Sequence, residues 1–273
     1  MLAIAYLCAS GQYPPVQTGE HLPLPSFMSD DVEIAYEVHG EGEPILLIHG
    51  FASNGRVNWG STGWVELLTR AGRQAIVIDN RGHGKSAKLH DPERYSAREM
   101  ALDSSRLIEH LGHERVDIMG YSMGARLTAL LGIHHPQQAR SLVIAGLAAN
   151  MIEGVPGSQE VVAALRAPSL AEAKGEQGRA FRAFAEQTKS DLEALAACMS
   201  SHRVLVSREE LGAIKAPALI VAGEEDTVAG PVDPLVEAIP GSEGVVLPGR
   251  DHMKAVGDKT YKLSVLDFLD RRP

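Results

Sequence analysis

The sequence predicts an α/β protein in which one mostly parallel sheet carries helices on both faces. Short, continuously apolar runs alternate along the chain with segments of helical period, a pattern typical of β-α-β units. A Gly-x-Ser-x-Gly sequence ends one of these runs, and the alternation is interrupted between residues 147 and 212. We therefore expect a core built from residues 28–146 and 213–273, with a helical cap inserted at 147–212.

The overall charge limits the partners that the chain is expected to bind, and its cysteine content limits the disulfide and metal sites that it is expected to contain. The chain has 273 residues and a formal net charge of −9, and its lysines and arginines form no cluster. Phosphate binding needs concentrated positive charge, so no nucleic-acid surface is expected and the predicted partner is a small molecule. Cys8 and Cys198 lie far apart without a CxxC or Cys/His cluster, so we expect no disulfide framework and no metal site. A reducing, cytoplasmic compartment fits this composition best.

Residues 1–27 differ from the rest of the chain, since they contain four prolines and show no sustained period. We expect them to form a poorly ordered extension, and whether they belong to the natural mature protein is left open. The apolar run at residues 2–9 lacks a positively charged segment before it and is too short to span a bilayer. Export is therefore the weaker alternative, and no stable membrane insertion is expected.

The first half of the predicted core builds the sheet step by step. Residues 32–38 alternate apolar and polar side chains, as a half-buried strand does. Residues 45–48 and 75–78 are continuously apolar, which is typical of strands covered on both faces. Between them, Trp64, Leu67 and Leu68 have helical spacing, and Gly72 is a plausible end for that helix.

The loop at residues 79–86 imitates a nucleotide-binding motif without matching it. Gly84, Lys85 and Ser86 resemble the end of a phosphate-binding P-loop, but Asp79 stands where that motif requires its first glycine. The dinucleotide-binding glycine pattern is also missing. We interpret the loop as structural, with His83 first a loop residue and only second a catalytic candidate, and expect no nucleotide cofactor.

Residues 116–125 are the stretch around which the chain is organised. An apolar run at 116–119 ends in Gly-x-Ser-x-Gly and continues into a helical pattern, the strand, turn and helix context of a nucleophilic serine. Glycine at 120 and 124 removes side chains that would collide within so tight a turn. The alternative for the pentapeptide alone is a glycine-rich turn that happens to contain Ser122.

An acid and a base follow the serine in the chain. The apolar run 218–222 leads to Asp226, and the short run 244–247 leads to His252. Serine needs a base oriented by a carboxylate, and in doubly wound serine hydrolases the chain order is Ser, acid, His. We therefore predict that Ser122, Asp226 and His252 form a catalytic triad. Rivals for the acid are Glu224, Glu225, Asp233 and Asp251, and His49 is expected to shape its own loop.

Attack on a carbonyl also requires hydrogen-bond donors for the developing oxyanion. The backbone N–H of Met123, directly after the nucleophile, is one candidate. The loop that follows residues 45–48 should supply the other, and we assign it to the N–H of Phe51. Because only backbone groups serve, the Phe51 side chain is free to line an acyl pocket.

Together these motifs resemble the α/β-hydrolase superfamily, in particular its small-cap members with a serine nucleophile. The resemblance implies an eight-stranded α/β-hydrolase fold, a triad of Ser122, Asp226 and His252, and no cofactor. Dehalogenases and many epoxide hydrolases of this superfamily carry aspartate at the nucleophile position, so Ser122 argues against both. The motifs are His49-Gly50-Phe51, Asp79-x-Arg81-Gly82-x-Gly84-x-Ser86, residues 120–124, Gly223-x-x-Asp226 and Asp251-His252.

The expected function is hydrolysis of carboxylic esters or related small acyl compounds through an acyl-enzyme. Hydrolysis of lactones, thioesters or carbon-carbon bonds, acyl transfer and perhydrolysis are compatible with the same residues, because the pocket decides the outcome. A ligand receptor on the same fold, with little or no turnover, is the alternative from another class. The oligomeric state is left open.

Overall fold

The computed structural model describes residues 24–201 and 205–272. Residues 1–23, most of the expected N-terminal extension, lie outside the described part, as does the apolar run at 2–9. Eight strands form a single sheet: β1 Ser26–Ser29, β2 Val32–His39, β3 Glu43–Ile48, β4 Arg73–Ile78, β5 Val116–Tyr121, β6 Ala139–Ala145, β7 Ala218–Gly223 and β8 Glu243–Leu247.

The strand order is β1-β2-β4-β3-β5-β6-β7-β8. β2 pairs antiparallel with both β1 and β4, whereas the other pairs are parallel. The predicted mostly parallel, eight-stranded sheet is therefore confirmed. The sheet begins at Ser26, two residues before the expected start of the core at 28, because the four-residue strand β1 pairs Ser26 with Ala35. So short a strand shows no periodicity that a sequence could reveal.

Both faces of the sheet are covered, which explains the continuous apolar runs. Successive side chains of a strand point to opposite faces. Leu46 and Ile48 of β3 pack into one apolar cluster, whereas Ile45 and Leu47 pack into the other, and all four are fully buried. Helices therefore lie on both sides of the sheet, as the sequence predicts.

Eleven α-helices occur within the described residues. The first cluster includes side chains of α2 and α3, and the second includes those of α1 and α11. The helices are α1 Trp64–Arg70, α2 Ala97–His110, α3 Met123–His134, α4 Asn150–Glu153, α5 Ser158–Arg166, α6 Glu176–Gln187, α7 Leu192–Ser200, α8 Arg208–Gly212, α9 Asp233–Ala238, α10 His252–Ala255 and α11 Lys259–Arg271.

The segment between β6 and β7 contains helices α4 to α8 and, in its described residues, no strand. Helix α5 packs against α6 and α7, and α7 also contacts the short 3-10 turn Pro92–Tyr95 that precedes α2. The division of the chain into a core and a cap at 147–212 stays a prediction.

Candidate active site

Ser122 lies between the end of β5 and the start of α3, in a backbone conformation that L-residues rarely adopt. Its φ is 56° and its ψ is −112°. A Cβ atom added at Gly120 would lie 2.1 Å from the backbone oxygen of Gly124. A Cβ atom added at Gly124 would lie 2.0 Å from the backbone oxygen of Ile48. The crowding expected from the sequence is thus present, and glycine at 120 and 124 permits the strained turn at Ser122.

Three loops bring Ser122, Asp226 and His252 into one chain of hydrogen bonds. The Nε2 atom of His252 lies 3.0 Å from Ser122 Oγ, and its Nδ1 atom lies 2.8 Å and 3.0 Å from Asp226 Oδ2 and Oδ1. With the Nδ1–H donated to the carboxylate, the lone pair of Nε2 faces the serine hydroxyl. The imidazole can therefore accept the hydroxyl proton.

The Asp226 carboxylate is buried and held by backbone donors. Its Oδ1 atom accepts hydrogen bonds from the N–H groups of Val228 at 3.0 Å and Ala229 at 2.9 Å. Among its rivals, Asp251 accepts from the N–H groups of Met253 and Lys254 and so caps α10. Glu224 accepts from Gly249 N–H, Glu225 is exposed, and Asp233 begins α9 at the surface.

The two predicted oxyanion donors belong to the residue after Ser122 and to the loop after β3. Met123 is the first residue of α3, where a backbone N–H has no partner inside the helix. Phe51 follows β3, and within the described part of the chain no protein acceptor is bound to either N–H. The preceding Gly50 N–H donates to Asn58 Oδ1 at 3.1 Å, which fixes the loop. An oxyanion role for both groups stays a prediction.

His49 ties the loop after β3 to the loop after β4. Its Nδ1 atom lies 2.8 Å from Gly50 O, and its Nε2 atom accepts from Asn80 N–H at 3.0 Å. Complete burial lowers the pKa of His49, although Asp79 opposes this effect, so the ring is neutral at physiological pH. His83 is also buried in this loop, with Nδ1 2.9 Å from Arg81 O.

Tyr121 contacts His252, and the sequence does not reveal this contact. Its hydroxyl donates to the backbone oxygen of His252 at 2.6 Å, and the two rings lie 5.4 Å apart. Burial raises the pKa of the Tyr121 phenol well above its ordinary value, so the hydroxyl keeps its proton and remains a donor. No sequence signal distinguishes the variable position of Gly-x-Ser-x-Gly from a surface residue.

A narrow cavity of about 60 Å³ lies against Ser122. Its walls come from the loop after β3, from α2 and α3, and from the helical segment between β6 and β7. Phe51 packs edge-on against Phe181 of α6, with ring centroids 5.7 Å apart, and both residues line the same space as Ser122. Other lining residues include Tyr95, Met100, Arg126, Leu147, Val161, Gln177, Cys198 and Met199.

Two negative observations concern the described residues alone. Residues 24–201 and 205–272 contain no group of three or more His, Cys, Asp or Glu side chains placed to hold a metal ion. None of the helices in that part of the chain is long and apolar enough to cross a membrane.

Residues 43–205 match the model of the alpha/beta hydrolase fold family. The chain belongs to this family. The eight-stranded α/β-hydrolase fold inferred from the motifs is thereby confirmed, and the family is one of hydrolases.

Several α/β-hydrolase relatives match almost the whole chain. A non-heme chloroperoxidase of Kitasatospora aureofaciens is 28% identical over 276 residues, covering 89% of this chain and 98% of that protein. The structure of a hydrolase from Pseudomonas aeruginosa has a TM-score of 0.75 at 25% identity, covering 92% of this chain and 99% of that one. An N-acyl homoserine lactone degrading enzyme has a TM-score of 0.70 at 25% identity, covering 89% and 99%.

Proposed function

We propose that this α/β-hydrolase cleaves carboxylic esters or related small acyl compounds through a serine-bound acyl-enzyme. The observation that carries the proposal is the hydrogen-bonded chain from Asp226 through His252 to Ser122 Oγ. A serine hydroxyl becomes a useful nucleophile when an oriented imidazole can take its proton, and a buried carboxylate stabilises the imidazolium that results.

In this mechanism His252 Nε2 takes the proton of Ser122 as Oγ attacks the substrate carbonyl. The N–H groups of Phe51 and Met123 bind the oxyanion, which the positive end of α3 also favours. His252 then donates its proton to the departing alcohol, leaving an ester on Ser122. Water then attacks that ester while His252 takes a proton from the water. His252 returns this proton to Ser122 Oγ as the bond from Oγ to the acyl carbon breaks, which releases the acid and restores the serine.

We assign the helical segment at 147–212 to the role of a cap that limits what reaches Ser122. Val161 of α5, Phe181 of α6 and Met199 of α7 all line the narrow cavity beside the serine. A cavity of about 60 Å³ suits a small acyl group, so the proposed partner is a small-molecule acyl substrate.

The direct test is the Ser122→Ala variant assayed with short p-nitrophenyl esters. We expect the loss of about three or more orders of magnitude in kcat with an unchanged circular dichroism spectrum, since the nucleophile is removed and the fold is not. Ser169→Ala, which removes a hydroxyl outside the cavity, is the matched control. Undiminished hydrolysis by Ser122→Ala would contradict the assignment.

Lactone hydrolysis is the second candidate, because one relative of 25% identity degrades an N-acyl homoserine lactone. The same acyl-enzyme forms when a lactone opens, and thioesters or carbon-carbon bonds next to a carbonyl are cleaved by the same steps. A comparison of kcat/KM across esters, lactones, thioesters and vinylogous diketones distinguishes these reactions. A non-catalytic receptor would instead bind ligand saturably while Ser122 resists labelling by a fluorophosphonate.

A further inference from the structure

Helix α6 contacts the loop after β3 at two consecutive residues of that loop. The ring of Phe181 packs edge-on against the ring of Phe51, with centroids 5.7 Å apart. Thr188 directly follows the last residue of α6, and its hydroxyl lies 3.1 Å from the backbone oxygen of Ala52. Positions 181 and 188 are about two helical turns apart, so they lie on one face of α6. This face therefore packs on the loop that contains Phe51, whose N–H is a predicted oxyanion donor.

The contacted part of the loop is a turn with an unusual backbone conformation. The Ser53 N–H donates to Gly50 O at 3.3 Å and closes a turn in which Phe51 and Ala52 are the central residues. Ala52 has a φ of 59°, and glycine is the usual residue for a left-handed conformation at this point of a turn. An alanine keeps such a conformation only where surrounding contacts hold it. Because Phe51 belongs to the same turn, the direction of its N–H depends on those contacts.

The Thr188 hydroxyl supplies a donor that the Ala52 carbonyl needs. Ala52 is fully buried, and within the described part of the chain no other donor is bound to its oxygen. The hydroxyl also lies 3.0 Å from Phe184 O and 3.1 Å from Ala185 O, inside its own helix. Those two oxygens already accept the backbone N–H groups of Thr188 and Ser190, each at 2.9 Å. A buried carbonyl without a partner is costly, so the hydroxyl proton stabilises the structure most when it is donated to Ala52.

We propose that Thr188 is a positioning residue, which holds the turn at residues 50–53 through the Ala52 carbonyl and so keeps the Phe51 N–H directed at the oxyanion. The inference rests on the proposed serine hydrolysis and adds a residue to it. Thr188 is not among the described residues that line the cavity beside Ser122, so it acts through the turn and not on the substrate. Packing of α6 on the turn and binding of the oxyanion are thereby coupled.

The variant Thr188→Val tests this role because it removes the hydroxyl and keeps the shape of the side chain. We expect kcat for short p-nitrophenyl esters to fall about 10-fold while KM changes by less than about 2-fold, since only the transition state carries the oxyanion. Complete removal of one oxyanion donor costs about 10²- to 10³-fold, whereas here the donor stays and is held less firmly. Thr188→Ser restores the hydroxyl and should keep most of the activity.

Thr69 provides the matched control. Its hydroxyl lies 2.9 Å from Val65 O and 3.1 Å from Glu66 O, which repeats the contacts that Thr188 makes within its own helix. No hydrogen bond joins this hydroxyl to another element of the described structure. Thr69→Val should therefore leave kcat unchanged. A wild-type kcat in Thr188→Val, or an equal loss in both variants, would overturn the positioning role.

A transition-state analogue tests whether the oxyanion is the group affected. Ser122 Oγ bonds to the carbonyl carbon of 1,1,1-trifluoro-2-butanone, the carbonyl oxygen becomes the oxyanion, and the hydroxyl proton passes to His252. We expect the inhibition constant to rise about 10-fold in Thr188→Val, in parallel with the fall in kcat. A lower stability of the fold alone would not change this constant. An unchanged constant beside a reduced kcat would overturn the oxyanion explanation.

Hydrogen exchange separates failure of the positioning role from failure of the proposed reaction. Exchange of the amides at residues 50–58 is followed by mass spectrometry in the Ser122→Ala protein, with and without Thr188→Val. We expect exchange in the turn to be about 10-fold faster without the Thr188 hydroxyl, and unchanged when Thr69→Val is introduced instead. Faster exchange supports the role of Thr188 even if no ester is hydrolysed, in which case only the proposed reaction fails. Hydrolysis of esters with unchanged exchange overturns the role of Thr188 and leaves the reaction standing.

Discussion

At the scale of single residues, the site depends on contacts between positions far apart in the chain. Tyr121 precedes Ser122, yet its hydroxyl donates a hydrogen bond to the backbone oxygen of His252, 131 positions later. Asp226 contacts the same histidine through Nδ1. His252 is therefore held at two points. The Asp226 carboxylate contacts its ring, and the Tyr121 hydroxyl contacts its main chain.

Replacing Tyr121 by phenylalanine should therefore slow the reaction without removing any reacting group. The His252 carbonyl loses a buried hydrogen bond, for which we expect a loss of about 1 kcal/mol in the free energy of unfolding. We also expect kcat to fall about 10-fold with little change in KM, because the base is less well placed. Tyr36→Phe, whose hydroxyl meets His110 near the surface, is the matched control. An unchanged kcat in Tyr121→Phe would contradict a positioning role.

The Asp226→Asn variant tests whether Asp226 is the acid of the proposed triad. The amide keeps the size of the carboxylate but carries no charge, and its N–H₂ group favours the wrong imidazole tautomer. We expect kcat to fall by about 10⁴-fold while the fold is preserved. The same substitution at Asp251, which caps α10, should have a far smaller effect on kcat. If the two variants lost comparable activity, Asp226 would not be the acid of the triad.

At the scale of elements, the turn between β5 and α3 requires glycine at 124 because β3 approaches it closely. A Cβ atom added at Gly124 would be only 2.0 Å from the backbone oxygen of Ile48, which is the last residue of β3. Gly120 leaves equally little room for a side chain, since its Cβ atom would meet the first turn of α3. Two strands and a helix thus meet at one point, and Ser122 lies at that point.

A Gly124→Ala variant should be destabilised by about 1–3 kcal/mol or more, since the added methyl group must displace backbone rather than a flexible side chain. Gly212, at the end of α8, offers the matched control because the nearest atom to its Cβ position is 3.8 Å away. Gly212→Ala should be neutral or stabilising by up to about 1 kcal/mol. Equilibrium unfolding in urea measures the free energy of unfolding of each variant. If Gly124→Ala were as stable as Gly212→Ala, the steric explanation would be refuted.

At the scale of the whole molecule, a buried neutral histidine makes stability depend on pH. Burial lowers the pKa of His49 below the ordinary histidine value of 6.5. As the pH falls through 6.5, the unfolded chain binds a proton at His49 that the folded chain does not bind. The free energy of unfolding therefore decreases toward acid, because protonation favours the unfolded state. His113 and His135, whose pKa values burial also lowers, act in the same direction.

We expect the free energy of unfolding to be greater at pH 7.5 than at pH 5.5 in urea titrations. His49 contributes at most about 1.4 kcal/mol per pH unit, the value for one proton. His49→Gln should make the dependence shallower while lowering stability at pH 7.5, since its contacts with Gly50 and Asn80 change. A stability that is flat or that rises toward acid would contradict the neutral, buried state of His49.

Much of the fold was predictable because strands that are buried on both faces are apolar at successive positions in the sequence. Residues 45–48 and 75–78 are apolar without interruption, and both runs are strands in the structure. The strand β1 was not predictable, since four residues show no period and pairing with β2 alone defines it. The exchange of β3 and β4 in the sheet order is likewise invisible locally, because it is decided by packing between distant segments.

The sequence by itself determined the strand-turn-helix around Ser122 and the order in which an acid and a histidine follow it. Parallel strands end at one edge of a sheet, so residues placed after them converge there without further information. Only the tertiary structure decided which groups surround that point. Tyr121 carries no local signal of its position, because its hydroxyl contacts the His252 loop, which lies far along the chain. The physical reason is that burial and charge environment depend on segments far away in the chain.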